Sequence, residues 1–206
     1  MLKNCDAIIF DLDGTLWDPT KTCRDSWNEV ITRGGYGVPL LTDKDLHQVF
    51  GLKFDKIAAL LFPTLPESKQ KELLQACVDY ENEYIINHGG ELYEPLEPIL
   101  KSLKEKYRLF IVSNCQAGYI EAFLKHYELE DYFEDFECPG NTKMEKNHNI
   151  GLIIQRNNLK APVYIGDTDG DQQAAGANHI PFIFAQYGFG TVQNEGHALK
   201  KLSDLV

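Results

Sequence analysis

Short, unbroken apolar runs separated by longer stretches of helical periodicity set the pattern of this chain. Ala7, Ile8, Ile9 and Phe10 form the first run, with no polar residue alternating into it. Such a run predicts a strand buried on both faces, in the middle of a parallel sheet. Arg108-Leu-Phe-Ile-Val112 and Val163-Tyr-Ile165 predict two more, residues 181–185 the last clear strand, and residues 135–138 a weak one. Helices are predicted between them over residues 95–106, 116–127 and 172–177. A further helix carries Ile150, Ile153 and Ile154 on one face, a turn of helix falls near Glu130, and residues 139–146 read as a loop. Strand alternating with helix gives an α/β chain: a doubly wound parallel, Rossmann-like sheet with right-handed crossovers.

Between the first strand and this alternation, residues 17–88 read as helices with no strand. The first spans 20–32 and ends at Gly34-Gly35-Tyr36-Gly37. Thr42 and Asp45 have the spacing of a reciprocal N-terminal cap for a second. Pro63 stops a third over 55–62, and the fourth, 67–87, repeats Leu73, Leu74, Cys77, Val78, Tyr84 and Ile85 at helical spacing. The predicted division is an α/β core of residues 1–16 and 91–206 with a helical insert, 17–90, placed over the carboxyl end of the first strand. The connectors at 16–19 and 88–94 contain glycine or proline and are candidate hinges.

Composition narrows the possible partners. The 206 residues carry a net charge of -11, which excludes non-specific binding to nucleic acid or to anionic membranes, both driven by Lys and Arg. An anionic substrate then requires locally concentrated positive charge. Cys5, Cys23, Cys77, Cys115 and Cys138 are scattered without a C-x-x-C pair, so neither a zinc site nor a disulfide framework is indicated. The first residues run directly into a strand rather than a cleavable leader, and no apolar segment approaches the roughly 20 residues that span a bilayer. A cytoplasmic protein is expected.

The chemistry is predicted where strands end. Asp11 and Asp13 flank Leu12, so extended backbone would project both carboxylates from one face, and Gly14 lets the chain turn away. An isolated Asp-x-Asp is more often an acidic turn, but here Ser113 and Asn114 follow a second apolar strand and Asp167 a third. In a parallel sheet all three ends emerge on one edge, where open α/β sheets bind ligands.

Asp11-Leu-Asp-Gly-Thr15, Val112-Ser-Asn114, a lysine at 143 or 146 and Gly166-Asp-Thr-Asp-Gly-Asp171 resemble, in order, the four motifs of the haloacid dehalogenase-like hydrolase superfamily. With its helical insert as the cap, the chain is similar to the phosphoglycolate phosphatase and β-phosphoglucomutase branch. The resemblance implies that Asp11 is a nucleophile forming an aspartyl-phosphate, and Asp13 the acid and base serving the leaving oxygen and the water. Ser113 and the Asn114 backbone N–H would hold phosphoryl oxygens, and a lysine would neutralise them. Lys146, directly before the helix of Ile150, suits that role better than Lys143. Asp167, the Asp11 carboxylate and the Asp13 carbonyl would bind Mg²⁺. Asp171 would hold a metal-bound water, or simply cap the helix that starts near Gln172.

An aspartate at 13 fits phosphate-ester chemistry and not the dehalogenase or phosphonate-cleaving branches. The implied function is a Mg²⁺-dependent phosphatase acting on a small phosphorylated metabolite. A sugar phosphomutase is the alternative, although Cys23 and Phe54 stand where that group carries a cap histidine and an arginine. A non-catalytic phosphate-binding regulator would lack one of the motif residues, and none is missing. His47, His88, His126, His148, His179 and His197 lack metal-ligand spacing and read as surface or satisfied side chains. Trp17, Trp27, Tyr36 and Phe54 are candidates for the cap's inner face or its core, and Arg24 and Lys53 are cap cations placed either to meet a charged substrate or, more simply, on a solvated face.

Overall fold

The computed structural model describes residues 2–52 and 54–206, so Lys53 lies outside the described residues. In chain order the elements are β1 (Ala7–Phe10), β2 (Trp17–Asp18), α1 (Thr20–Gly34), α2 (Asp43–His47), α3 (Phe54–Leu61), α4 (Glu67–His88), β3 (Glu91–Leu92), α5 (Leu96–Lys104) and β4 (Arg108–Val112). They continue with α6 (Tyr119–Tyr127), β5 (Asp135–Glu137), α7 (Pro139–Thr142), α8 (Lys146–Arg156), β6 (Pro162–Gly166), α9 (Asp169–Ala177), β7 (Phe182–Ala185) and β8 (His197–Leu199).

β1 is central because all four of its residues are fully buried. It pairs in parallel with β4 on one side and β6 on the other, with Ile9 opposite Phe110 and Tyr164. The sheet order is β5-β4-β1-β6-β7-β8, parallel throughout. Alternate side chains serve two cores: Ile8 and Phe10 pack with Leu100, Leu103 and Phe123 of α5 and α6, while Ala7 and Ile9 pack with Ile150, Ile153 and Ala175 of α8 and α9. Helices on both faces are why the strands read as continuous apolar runs.

The four helices of the insert bury a third cluster, including Trp27, Leu46, Phe62, Leu73 and Cys77. Gly35, at φ 61°, ends α1, and Asp45 accepts a 2.8 Å bond from the Thr42 backbone N–H at the start of α2. No helix among the described residues is long and apolar enough to cross a membrane.

The structure departs from the sequence expectation at short elements. Residues 17–88 are not strand-free: β2 pairs antiparallel with β3, tying together the two connectors read as hinges. Two residues are too few to show alternation. The same brevity hid β8, and residues 139–146 contain the single helical turn α7. α6 starts at Tyr119, behind a left-handed Gly118 at φ 86°, and not at 116. The connectors are further clasped by the Thr22 hydroxyl, which donates to Gly89 O. Tyr127 OH accepts from Gly90 N at 2.8 Å and donates to Gly90 O at 2.7 Å.

Removing that hydroxyl strands both groups of Gly90. Tyr127→Phe is expected to lower stability by about 1–2 kcal/mol, read as a lower urea midpoint; an unchanged midpoint would contradict the clasp.

Candidate active site

The carboxyl ends of β1, β4 and β6 bring Asp11, Ser113 and Asp167 together, all buried. The Asp11 backbone N–H continues the ladder by donating to Ile165 O at 2.8 Å. Gly14 then takes φ 79°, and a Cβ there would collide with the Asp167 carboxylate. Ser113 and Asp11 line the same cavity. Asn114 follows, its side chain donating to Gly51 O of the insert at 3.4 Å.

Lys146, the first residue of α8, is buried with its ammonium 3.0 Å from Asp11 Oδ1 and 2.6 Å from Asp171 Oδ1. Lys143 stands outside the site: it takes φ 61° at the end of α7 and donates to Gly140 O at 2.7 Å. Asp171 does two jobs at once. Its Oδ2 accepts from the N–H and hydroxyl of Thr168 at 3.0 and 2.7 Å, capping α9, while Oδ1 serves Lys146.

Asp13 has different neighbours. Its Oδ1 accepts from Trp17 Nε1 at 2.7 Å and Tyr119 OH at 3.0 Å. Burial and then the charge of Asp11 push the Asp13 carboxyl up to about 8, against those two donors. Burial and the Asp171 charge raise Asp11 only to about 6, because Lys146 and Ser113 pull it down. Burial, Asp11 and Asp171 raise Asp167 to about 7. Burial acts to lower Lys146, but the charges of Asp11 and Asp171 outweigh it and hold the ammonium well above its usual range. Two carboxyls two residues apart are thus pushed toward different protonation states.

Carboxylate oxygens of Asp11, Asp167 and Asp171 lie within 4.8 Å of one another. Asp167 Oδ1 is buried with no hydrogen-bond partner, while both Asp171 oxygens are engaged. An unpartnered buried carboxylate oxygen in a cluster of carboxylates fits a hard divalent cation, with Asp11 and Asp167 as the residues that would hold it.

Several site residues carried no readable chemistry. The loop after β7 supplies the N–H groups of Phe189 and Gly190 to Asp167 Oδ2, at 2.8 and 3.2 Å. The hint in the sequence was Gly188-Phe-Gly190, three residues past the end of a strand. His47, read as a surface or satisfied side chain, lines the cavity of about 80 Å³ over Asp11, together with Phe50 and Gly51. Trp17 is in the core, edge-on to Phe123 at 5.0 Å, and does not line the insert. Trp27 belongs to the insert's own core with Tyr36 against it, and Phe54 is partly exposed. Arg24 is bound by Asp25 and Asp43 and does not line the cavity.

Residues 8–185 match the profile of a family described as haloacid dehalogenase-like hydrolase. The chain is 29% identical over 189 residues to a phosphoglycolate phosphatase of Rhodobacter capsulatus, covering 89% of this chain and 85% of the relative. It is 25% identical over 213 residues to a phosphoglycolate phosphatase of Aliivibrio fischeri, covering 92% and 87%. A haloacid dehalogenase-like family hydrolase from Streptococcus pneumoniae has the same fold, with a TM-score of 0.83 at 21% identity over 98% of this chain and 97% of that one.

One buried acid stands apart from the cluster. Glu81 of α4, 3% exposed, accepts from Gln116 Nε2 at 2.6 Å, beneath Cys23 and Trp27 of α1 and near Cys77. Burial pushes its carboxyl from 4.5 up to about 7, with the Gln116 amide pulling the other way. Below 4.5 the group is neutral whether folded or unfolded; above that only the unfolded chain ionises freely, so rising pH costs stability until about 7. The full loss is about 3 kcal/mol. Glu81→Gln should therefore gain on the wild type as pH rises through this window in denaturation series, and a difference independent of pH would contradict the assignment.

Proposed function

The chain belongs to the haloacid dehalogenase-like hydrolases, and from that premise we propose that it is a Mg²⁺-dependent phosphatase of small phosphorylated metabolites, working through an aspartyl-phosphate on Asp11. The observation that carries this reading is the placement of two carboxyls two residues apart: Asp11, 3.0 Å from the Lys146 ammonium, and Asp13, whose Oδ1 accepts from Trp17 and Tyr119 and whose carboxyl burial and the Asp11 charge push up to about 8. At neutral pH one is a nucleophile and the other an acid.

Asp11 attacks phosphorus while Asp13 gives its proton to the departing ester oxygen. Water then attacks the phosphorus of the aspartyl-phosphate, Asp13 takes its proton, and inorganic phosphate leaves with Asp11 restored. Lys146, the Ser113 hydroxyl and the Asn114 N–H hold the phosphoryl oxygens as charge shifts among them. Mg²⁺, held by the Asp11 and Asp167 carboxylates and the Asp13 carbonyl, would supply charge neutralisation that lets an anionic nucleophile approach an anionic ester. Asp171 orients Lys146 and is a positioning residue.

The cavity argues for a small substrate. About 80 Å³ beneath His47, Phe50 and Gly51 suits an ester of a few carbons better than a nucleotide. Phosphoglycolate, the substrate in the relatives' names, falls in that class. Against a sugar phosphomutase, position 23 is a buried thiol 3.8 Å from Tyr119 OH and position 54 an exposed ring.

Phosphate release from a panel of esters tests this proposal. Few-carbon monophosphates should be preferred over nucleotides, with release stopped by chelation and restored by Mg²⁺; release indifferent to chelation would overturn the metal's role. Asp13→Asn should slow alkyl esters by about 10²–10⁴-fold and activated aryl phosphates far less. Equal losses on both would remove Asp13 as the acid.

A further inference from the structure

The loop after β7 is wedged between the cation-binding carboxylate and the helical insert. On its inner side the N–H groups of Phe189 and Gly190 donate to Asp167 Oδ2 at 2.8 and 3.2 Å. A Cβ at Gly188 would collide with Asp167 and with Gly14 O, so glycine is what lets the loop approach this closely. Tyr187 OH anchors it to Thr15 O at 2.8 Å. On its outer side the Phe189 ring stacks on Phe50, centroids 5.0 Å apart and planes 17° from parallel, and meets His47 at 5.3 Å. His47 ends α2 and Phe50 follows it, both in the insert. One residue therefore holds Asp167 with its backbone and the insert with its side chain.

We propose that Phe189 is a positioning residue that couples seating of the insert on the core to the geometry of the Asp167 carboxylate. The proposal rests on the reading of Asp167 as a cation ligand given above. With the insert seated, the stack holds the loop down, two amides fix Asp167 Oδ2, and Oδ1 is left buried without a hydrogen-bond partner. With the insert lifted, Phe50 and His47 leave, the ring is exposed, and the loop loses the contact that presses it onto Asp167. Coupling of this kind is reciprocal: bound cation favours the seated insert as much as the seated insert favours cation. Closing the cavity over a substrate and completing the cation site become one event, so the insert does more than cover the reaction.

Phe50 makes the test sharp, because its ring stacks on Phe189 and cannot itself ligate a cation. Calorimetric titration of Mg²⁺ into the substrate-free protein reads the coupling without turnover. Phe50→Ala and Phe189→Ala should each weaken Mg²⁺ binding by about 2- to 10-fold, the range of one aromatic pair. The double variant should be no weaker than the worse single one, since both remove the same contact. Phe189→Tyr, which keeps the ring, should restore binding. Phe50→Leu, which keeps apolar bulk but no stack, replaces the alanine variant if that chain fails to fold. Wild-type Mg²⁺ affinity in a folded Phe50 variant, or effects that add in the double variant, would overturn the coupling and leave the phosphatase proposal standing. No Mg²⁺ binding by the wild type would overturn the cation reading of Asp167, and the coupling with it.

Discussion

The ammonium of Lys146, 3.0 Å from Asp11 and 2.6 Å from Asp171, sits in a crowd of carboxylates that one positive charge cannot balance. Asp11, Asp167 and Asp171 are all buried, so three negative charges less one positive leave two uncompensated when all are ionised. Uncompensated buried charge is among the costliest features a fold can carry. The remainder is removed either by protons, toward which burial and the neighbouring charges push Asp11 and Asp167, or by a divalent cation of matching charge. A site that is unstable when empty in this way has affinity for a cation built into it.

The fold keeps this cluster together by placing it at the edge of a sheet whose interior is dry. Strand ends from β1, β4 and β6 fix three of the side chains, and α8 and α9 aim Lys146 and Asp171 back at them. Close approach is allowed by missing side chains: Gly14 and Gly188 both press their backbones against Asp167. Asp13 escapes the cluster because Trp17 and Tyr119 draw its carboxyl toward the connectors of the insert. Burial and the Asp11 charge push that carboxyl toward its protonated form beside the space that the insert covers.

Much of this was legible in the chain, and the limits have physical causes. β1 with Asp11 and Asp13 stood out because burial on both faces forces a continuous apolar run and charge ends it abruptly. The parallel topology followed from the alternation of elements. Lys146 was preferred to Lys143 only for its place directly before the helix of Ile150, since the turn of α7 that swings Lys143 away is four residues long and leaves no periodic trace. β2, β3 and β8 are too short to show a pattern. The stack of Phe50 on Phe189 and the place of His47 depend on how the insert meets the core, which no local pattern encodes. Trp17 shows the same limit from the other side, since its position in the insert's connector concealed a core residue that donates to Asp13.

The central claim is that Asp11 carries the phosphoryl group between two displacements. Rapid acid quench during turnover, followed by peptide mass spectrometry, tests it directly. The account predicts an acid-stable, alkali-labile phosphoryl group on the peptide containing Asp11, absent from Asp11→Asn. A phosphoryl group on any other residue, or undiminished phosphate release by Asp11→Asn, would contradict it.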